Sequence, residues 1–414
     1  MGVLMNSPWQ NEGRWFTSPW NYLDEAREVL NLPSKVVFHD ITLRDGEQQA
    51  GIALTREDKV SIAKRLAAAG VDRIEAGMPI VSPQDEAAIK DIVELDLGPQ
   101  VFAFSRCMVD DVKRARATGV SGIIIEIPSS GHMIEKAYGW PLERAINLSI
   151  EATLAAKEAG LETVFFTIDS SRAEFDWYLD LIERIGNEGH MDALALVDTT
   201  GGVAPHAIPI WVDKVRERLP NTRLEAHFHD DFGLAVANSL AAIASGVEVV
   251  HTTVSGVGER AGNCPMEELA LALNMLYGVQ HNLNTEEFYS LSRLVRERTG
   301  HAIPSNRAVV GERLFEIESG IIAGWYERCI EREPTEVFPY HWDVVGQPPA
   351  RVVYGKGSGL PSVELALRAL GISAEDEQMR SILVAIKDRA LETKALLPFE
   401  EVKEIVARQL KGSA

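Results

Sequence analysis

The sequence predicts an α/β protein, a TIM (β/α)8 barrel over residues 35–284 with a C-terminal helical accessory region. Three observations carry that prediction. Short, mostly apolar runs recur eight times, at 36–39, 73–76, 101–104, 122–127, 163–168, 193–197, 223–228 and 247–254. Stretches with helical apolar spacing lie between them, and the repeat of roughly 25 to 35 residues is the size of a βα unit. The chain of 414 residues also exceeds a lone barrel of roughly 250 residues, so further structure must follow it.

Residues 1–34 form an N-terminal extension containing Trp9, Trp15 and Trp20. It is too apolar for a free tail and is expected to pack on the barrel or on a second subunit. Within the barrel, 56–69 places Val60, Ala63, Leu66 and Ala67 on one helical face, and 142–159 and 205–219 follow the same rule. Alternation of β and α favours a parallel sheet. An open doubly wound sheet would share this rhythm; the count of eight runs favours closure. The stretch 266–277 reads as a last barrel helix. Residues 285–345 read as a linker and helical subdomain, helical over 285–330 with a break at Glu318-Ser-Gly-Ile and rich in proline and aromatics over 334–349. Residues 346–414 read as a small C-terminal helical subdomain.

Composition narrows the partners. The chain is 46% hydrophobic and 25% charged, as expected of a globular protein with a large core. A formal charge of -20 argues against nucleic acid or membrane as a general partner, because both are polyanionic. The three cysteines, Cys107, Cys264 and Cys329, are far apart and form no CxxC pair, so a reducing compartment is expected. The N-terminus lacks the basic start and apolar run of a secretory signal, and no stretch is long and apolar enough to span a bilayer. A cytoplasmic enzyme is the expectation.

Barrel active sites lie at the C-terminal ends of the strands. The first run leaves through His39-Asp-Ile-Thr-Leu-Arg-Asp-Gly-Glu-Gln, which crowds Arg44, Asp45 and Gln48 at one exit. The seventh leaves through His227-Phe-His-Asp-Asp, whose histidines, two apart on a strand, share a face. A His-X-His pair with a carboxylate from another strand makes a divalent-metal site with open positions. After the eighth run, Gly256-Val-Gly-Glu-Arg-Ala-Gly-Asn brings the side-chain carbonyl of Asn263 within reach. Each piece also has a plain structural reading: a packed strand histidine, a surface Arg44–Asp45 ion pair, a glycine turn. Their conjunction at three strand exits favours the site.

The run Thr42-Leu-Arg-Asp-Gly-Glu-Gln, the run His227-Phe-His-Asp-Asp-Phe-Gly-Leu-Ala-Val-Ala-Asn and the run Gly258-Glu-Arg-Ala-Gly-Asn together resemble the metal-dependent HMGL-like, or DRE-TIM, family. That family contains isopropylmalate synthase, homocitrate synthase and hydroxymethylglutaryl-CoA lyase. The Gly-Lys-Gly-Ser-Gly at 355–359 is similar to a segment of its synthase branch. The resemblance implies that Asp45, His227 and His229 hold a divalent ion (magnesium, manganese or zinc), with Asn263 as a fourth ligand or just outside. It implies that Arg44 stabilises an oxygen that becomes negative, that Gln48 and Glu75 orient substrate and water, and that Thr199 binds a substrate carboxylate. His132 would be a substrate-side histidine; Glu75, Thr199 and His132 also read as loop-capping groups. The implied reaction condenses an acyl-CoA such as acetyl-CoA with a 2-oxo acid; the alternative is cleavage of a carbon–carbon bond by a lyase or aldolase. A barrel retaining its metal site only for binding or regulation is a third reading. A homodimer is implied as well.

Three departures from the family pattern are visible. Ile168 stands where a glutamate is expected at the fifth exit, where Asp169 and Arg172 remain, Arg172 as a substrate-binding candidate. Ile317 and Ile322 occupy two positions where histidines are expected, and isoleucine cannot move a proton. The expected tyrosine before Pro334 is missing, with Tyr326 and Tyr340 the nearest. His251, within the eighth run, is a candidate replacement for the proton-transfer group.

Overall fold

The computed structural model describes residues 7–411. They form two compact units, one running from Trp20 to Ile303, the other comprising the residues through Pro19 and those from Pro304 on.

The first unit is a closed barrel of eight parallel strands: β1 (Val37–Asp40), β2 (Arg73–Glu75), β3 (Gln100–Arg106), β4 (Gly122–Pro128), β5 (Glu162–Ile168), β6 (Ala193–Asp198), β7 (Arg223–Phe228) and β8 (Val249–Thr252). β8 closes onto β1 in the register Val249↔Val37 to Thr252↔Asp40. Parallel strands are covered on both faces, which is why Gly122–Pro128, Glu162–Ile168 and Ala193–Asp198 are mostly apolar, while Arg73–Glu75 and Arg223–Phe228 carry several polar side chains. Alternation then sorts them. Phe102, Phe104, Ile124, Val164, Phe166, Ala193, Ala195 and Val197 pack together as one interior cluster, and the residues between them turn toward the helices.

Helices α1 (Arg56–Ala68), α2 (Pro83–Glu94), α3 (Val109–Ala117), α4 (Leu142–Glu158), α5 (Phe175–Glu188), α6 (Ile208–Arg218), α7 (Ala235–Ala244) and α8 (Met266–Ala272) form the outer layer. Their starts have local causes. Thr55 and Asp58 cap α1 reciprocally, and Ser82 caps α2 with Pro83 in the first turn. α8 continues into a wider π turn, Leu273–Tyr277, ended by Gly278 at φ 69°. A further helix, α9 (Phe288–Thr299), still belongs to this unit.

The helical reading of 285–330 holds only at its ends. α9 stops at Gly300 (φ 71°), and Pro304 follows. At Gly311 a β-carbon would lie 2.5 Å from the Arg307 carbonyl oxygen. The chain stays irregular there until Glu316–Ile317 pairs in parallel with Arg351–Val352, and α10 (Gly320–Cys329) begins.

In the second unit α11 (Leu360–Leu370), α12 (Asp376–Thr393) and α13 (Phe399–Lys411) enclose a core of Val363, Ala366, Ile382, Ile386, Val402 and Val406. The N-terminal extension divides between the units. Gln10–Asn11 pairs with Trp15–Phe16, and the His341 amide donates to the Arg14 carbonyl at 2.7 Å. From Trp20 the chain lies with the barrel, where the Tyr22 hydroxyl donates to the Met275 carbonyl at 3.0 Å. The expected packing on the barrel therefore describes only the later part of the extension. Among the described residues no helix is long and apolar enough to cross a membrane.

Candidate active site

The chain leaves β1 in a tight turn, in which the Arg44 and Asp45 amides both donate to the Ile41 carbonyl, at 3.1 and 2.9 Å. Thr42 ties this turn to the exit of β8 by accepting from the Val254 amide at 2.9 Å. Asp45 is thereby aimed across the mouth at β7. Its Oδ2 lies 3.6 Å from His227 Nε2 and 3.9 Å from His229 Nε2, and the two Nε2 atoms are 3.3 Å apart.

Asn263 completes the cluster. Its Nδ2 donates to Asp45 Oδ1 at 2.8 Å, while its buried Oδ1 has no hydrogen-bond partner. Gly258 makes room for this amide: a β-carbon there would fall 2.1 Å from Asn263 Nδ2 and 3.1 Å from Asp45 Oδ1. Burial, and then the neighbouring His229, His251 and Arg44, hold the His227 ring neutral well below its usual titration range. Burial likewise lowers His229, although Asp45 opposes it. Two imidazoles held neutral thus bring their Nε2 atoms to a carboxylate, beside an orphaned amide oxygen. That donor set fits a divalent cation, and the ligand atoms of Asp45, His227 and His229 all lie within 4.8 Å of one another.

Arg44 is 7% exposed and is held from three sides. Its Nη1 donates to Asp45 at 3.0 Å and to Gln48 at 3.2 Å, and its Nε donates to Glu75, on β2. The guanidinium carbon lies 4.0 Å from the centre of the Phe104 ring. Nη2 remains buried without a partner, a preorganised donor awaiting an acceptor. Burial would raise the Glu75 carboxyl, but Arg44 and His39 overcome it and hold it at about 2, so this group stays ionised. A cavity of about 290 Å³ opens beside Arg44 and Gln48, lined also by Ile52, Met78 and Val81.

His251 lies deeper than a strand-exit group. It is 1% exposed, its Nδ1 is 3.3 Å from His227 Nδ1, and its Nε2 is 2.9 Å from Glu225 Oε2. Glu225 in turn accepts from Arg73 at 2.8 Å, and His39 stacks at a tilt on His251 with ring centres 4.5 Å apart. Chemically this layer can fix the tautomer of His227: a proton on His227 Nδ1 donates to His251, whose Nε2–H donates to Glu225, leaving His227 Nε2 free as a ligand.

The remaining sequence-predicted groups gather around Asp169 at the β5 exit. Asp169 Oδ2 accepts from Ser130 at 2.6 Å and lies 3.2 Å from His132 Nε2; Oδ1 accepts from Arg172 at 2.5 Å. The Asp169 amide donates to Thr199 Oγ1 at 2.8 Å. Asp169 takes a left-handed conformation, φ 64°, which turns its carboxylate back over β4. Most of the residues singled out from the sequence therefore lie in two groups, one around Asp45 and one around Asp169, though the sequence did not mark Asp169 as a centre. Ile317 and Ile322 lie in the other unit, Ile317 buried in the short strand beside Val352.

Four polar groups of the barrel interior escaped sequence reasoning: His39, Arg73, Glu225 and Glu126. For Glu225 a signal existed, since Glu225, His227 and His229 are spaced two apart and share one face. For Glu126 it was a lone carboxylate inside the apolar run Gly122-Ile-Ile-Ile-Glu-Ile-Pro.

The HMGL-like family model matches residues 35–295. A homocitrate synthase of Methanopyrus kandleri is 37% identical over 88% of this chain and 90% of its own. A "Probable 2-isopropylmalate synthase" of Ignicoccus hospitalis is 36% identical over 93% of this chain and 95% of its own. Among solved structures, hydroxymethylglutaryl-CoA lyase from Pseudomonas aeruginosa superposes with a TM-score of 0.59 at 21% identity, covering 66% of this chain and 96% of that one, and so shares the fold. With a family model spanning the whole barrel and synthase relatives aligned over nearly the full chain, this protein belongs to the HMGL-like family.

Proposed function

We propose that this protein is an acyltransferase that condenses an acyl-CoA with a 2-oxo acid at a divalent-metal site. The observation that carries the proposal is the convergence of Asp45, His227 and His229 beside an arginine with an unspent buried donor. Relatives named homocitrate synthase and 2-isopropylmalate synthase, aligned over most of both chains, support the same chemistry.

Asp45, His227 and His229 would hold the ion, with Asn263 Oδ1 beside them. A divalent cation there supplies the Lewis acid that polarises a keto carbonyl. Arg44 presents Nη2 to the oxygen that gains charge as the new bond forms, a contact worth most in the transition state because Glu75, Asp45 and Gln48 already fix the side chain. Glu75 acts by positioning Arg44. The cluster of His132, Arg172 and Thr199, organised by Asp169, receives the substrate carboxylate. His251 acts through His227 rather than on substrate, since it has His227 on one side and Glu225 on the other. In solution we expect a homodimer.

Product analysis tests the reading. Metal-loaded protein given acetyl-CoA and a panel of 2-oxo acids should yield, with one of them, a 2-hydroxy acid with one more carboxyl than the acceptor, whose mass is the acceptor plus acetic acid. Release of a 2-oxo acid from 2-hydroxy acids, with no condensation product, would replace it by the lyase reading.

A further inference from the structure

The mouth of the barrel holds more carboxylates than the metal and the arginine use. Asp45 belongs to the metal cluster, Glu75 is bound to Arg44, and Asp169 is bound by Ser130, Arg172 and His132. Glu126 differs from all three. Its side chain makes no hydrogen bond or ion pair among the described residues.

Its placement follows from strand parity. Ile124 packs in the interior cluster with Phe104, Val164 and Phe166. Glu126 is two residues further along β4, so it points into the same barrel, one layer nearer the mouth. In register it pairs with Phe166 on β5 and Arg106 on β3. Arg44 lies over both Phe104 and Phe166, at 4.0 and 5.7 Å, so Glu126 and the guanidinium occupy the same level of the barrel. Glu126 is partly accessible while its neighbours Ile125 and Ile127 are buried, as its interior position near the C-terminal end of β4 leads one to expect.

The buried histidines are excluded by what holds them. His227 and His229 face the metal position, and His39 and His251 have no exposed face. Nothing at Ile168, directly across from Pro128 on β4, can carry a proton.

We propose that Glu126 is a catalytic residue, the base that removes the α-proton of the acyl donor; this rests on the condensation reading above. The carboxylate takes a proton from the carbon next to the thioester carbonyl, and the C–H electron pair becomes the enolate. That carbon forms the new bond to the keto carbon of the 2-oxo acid. The keto π pair moves to its oxygen, beside Arg44, and this oxygen then takes a proton. Water cleaves the thioester and releases the thiol. Burial raises the Glu126 carboxyl to about 7, with Arg44 opposing and Glu75 adding to the rise, which suits a base working near neutrality.

The test compares Glu126→Gln, Glu126→Asp and His132→Gln with the wild type, as metal-loaded full-length protein, in 2-oxo-acid-dependent thiol release from acetyl-CoA. Glu126→Gln should lower kcat by roughly 10²- to 10⁴-fold, with bound metal and the KM for the 2-oxo acid essentially unchanged. Glu126→Asp should retain part of the rate and show a larger kinetic isotope effect with methyl-deuterated acetyl-CoA. A Glu126→Gln enzyme of near wild-type kcat overturns the proposal, as does loss of the isotope-sensitive step in His132→Gln alone. A metal-loaded wild type inert with every 2-oxo acid contradicts the condensation reading itself and removes this role with it.

Discussion

The Nδ1 atoms of His227 and His251 face each other 3.3 Å apart across the β7–β8 boundary. One ring must donate and the other accept. Because His251 Nε2 is committed to the Glu225 carboxylate at 2.9 Å, its proton belongs there, and His227 becomes the donor at Nδ1. A buried carboxylate two layers down therefore determines which nitrogen of His227 is free at the mouth. Arg73 holds that carboxylate in turn, so the chain of control reaches the floor of the barrel.

Breaking this chain should weaken metal binding. His251→Leu is expected to lower divalent-metal affinity by about 10- to 100-fold, read by competition with a coloured chelator. Unchanged affinity would show that the His227 tautomer is set elsewhere.

Arg44 and Glu75 should separate in a double-variant cycle. Arg44→Ala removes the oxyanion donor, for a loss of about 10² to 10³ in kcat. It also strands the buried Glu75 charge, for a stability loss of about 3–5 kcal/mol. Adding Glu75→Gln should recover much of the stability in a denaturant titration and none of the turnover. Recovery of both would mean that Arg44 serves only the fold.

Gly258→Ala places a methyl group where the Asn263 amide lies, 2.1 Å from Nδ2. The amide must swing away from Asp45. Metal affinity and turnover should fall together while the far-ultraviolet circular dichroism stays unchanged. Wild-type affinity in this variant would show that Asn263 has no part in the metal site.

Asp40, at the end of β1, gives a pH dependence of defined sign. Burial raises its carboxyl to about 7, although the Thr42 hydrogen bonds pull the other way. The unfolded chain releases this proton near pH 4. Between those values the folded state holds more protons, so this group's contribution to stability falls as pH rises through the window. Asp40→Asn can keep the Thr42 contacts and removes the titration. It should gain on the wild type between pH 4 and 8, by about 1–3 kcal/mol in all, measured by denaturant titration. Parallel stability curves would contradict the shift.

The strands were legible because a parallel barrel buries both faces, so most strands contain a short apolar run, as in Gly122–Pro128 and Ala193–Asp198. The ends of the runs were less so: the eighth, read as 247–254, pairs only over Val249–Thr252, since Ser255 then turns at φ 59°. The convergence of Asp45, His227 and His229 was legible because these residues sit at strand exits in compact motifs. The depth of His251 was not, because depth depends on register between strands rather than on spacing within one. Asp169 escaped as an organiser because its reach depends on a left-handed turn that the run Thr167-Ile-Asp-Ser-Ser does not announce. Glu126 escaped because one carboxylate in an apolar run has no partner in sequence to suggest what it faces.

The most direct measurement is thiol release from acetyl-CoA by metal-loaded protein across a panel of 2-oxo acids, with and without chelator. Release should depend on one 2-oxo acid, vanish on chelation, return with a divalent metal, and be absent in His227→Ala. Release that ignores both the 2-oxo acid and the chelator, or none at all with metal demonstrably bound, would contradict a metal-dependent condensation at Asp45, His227 and His229.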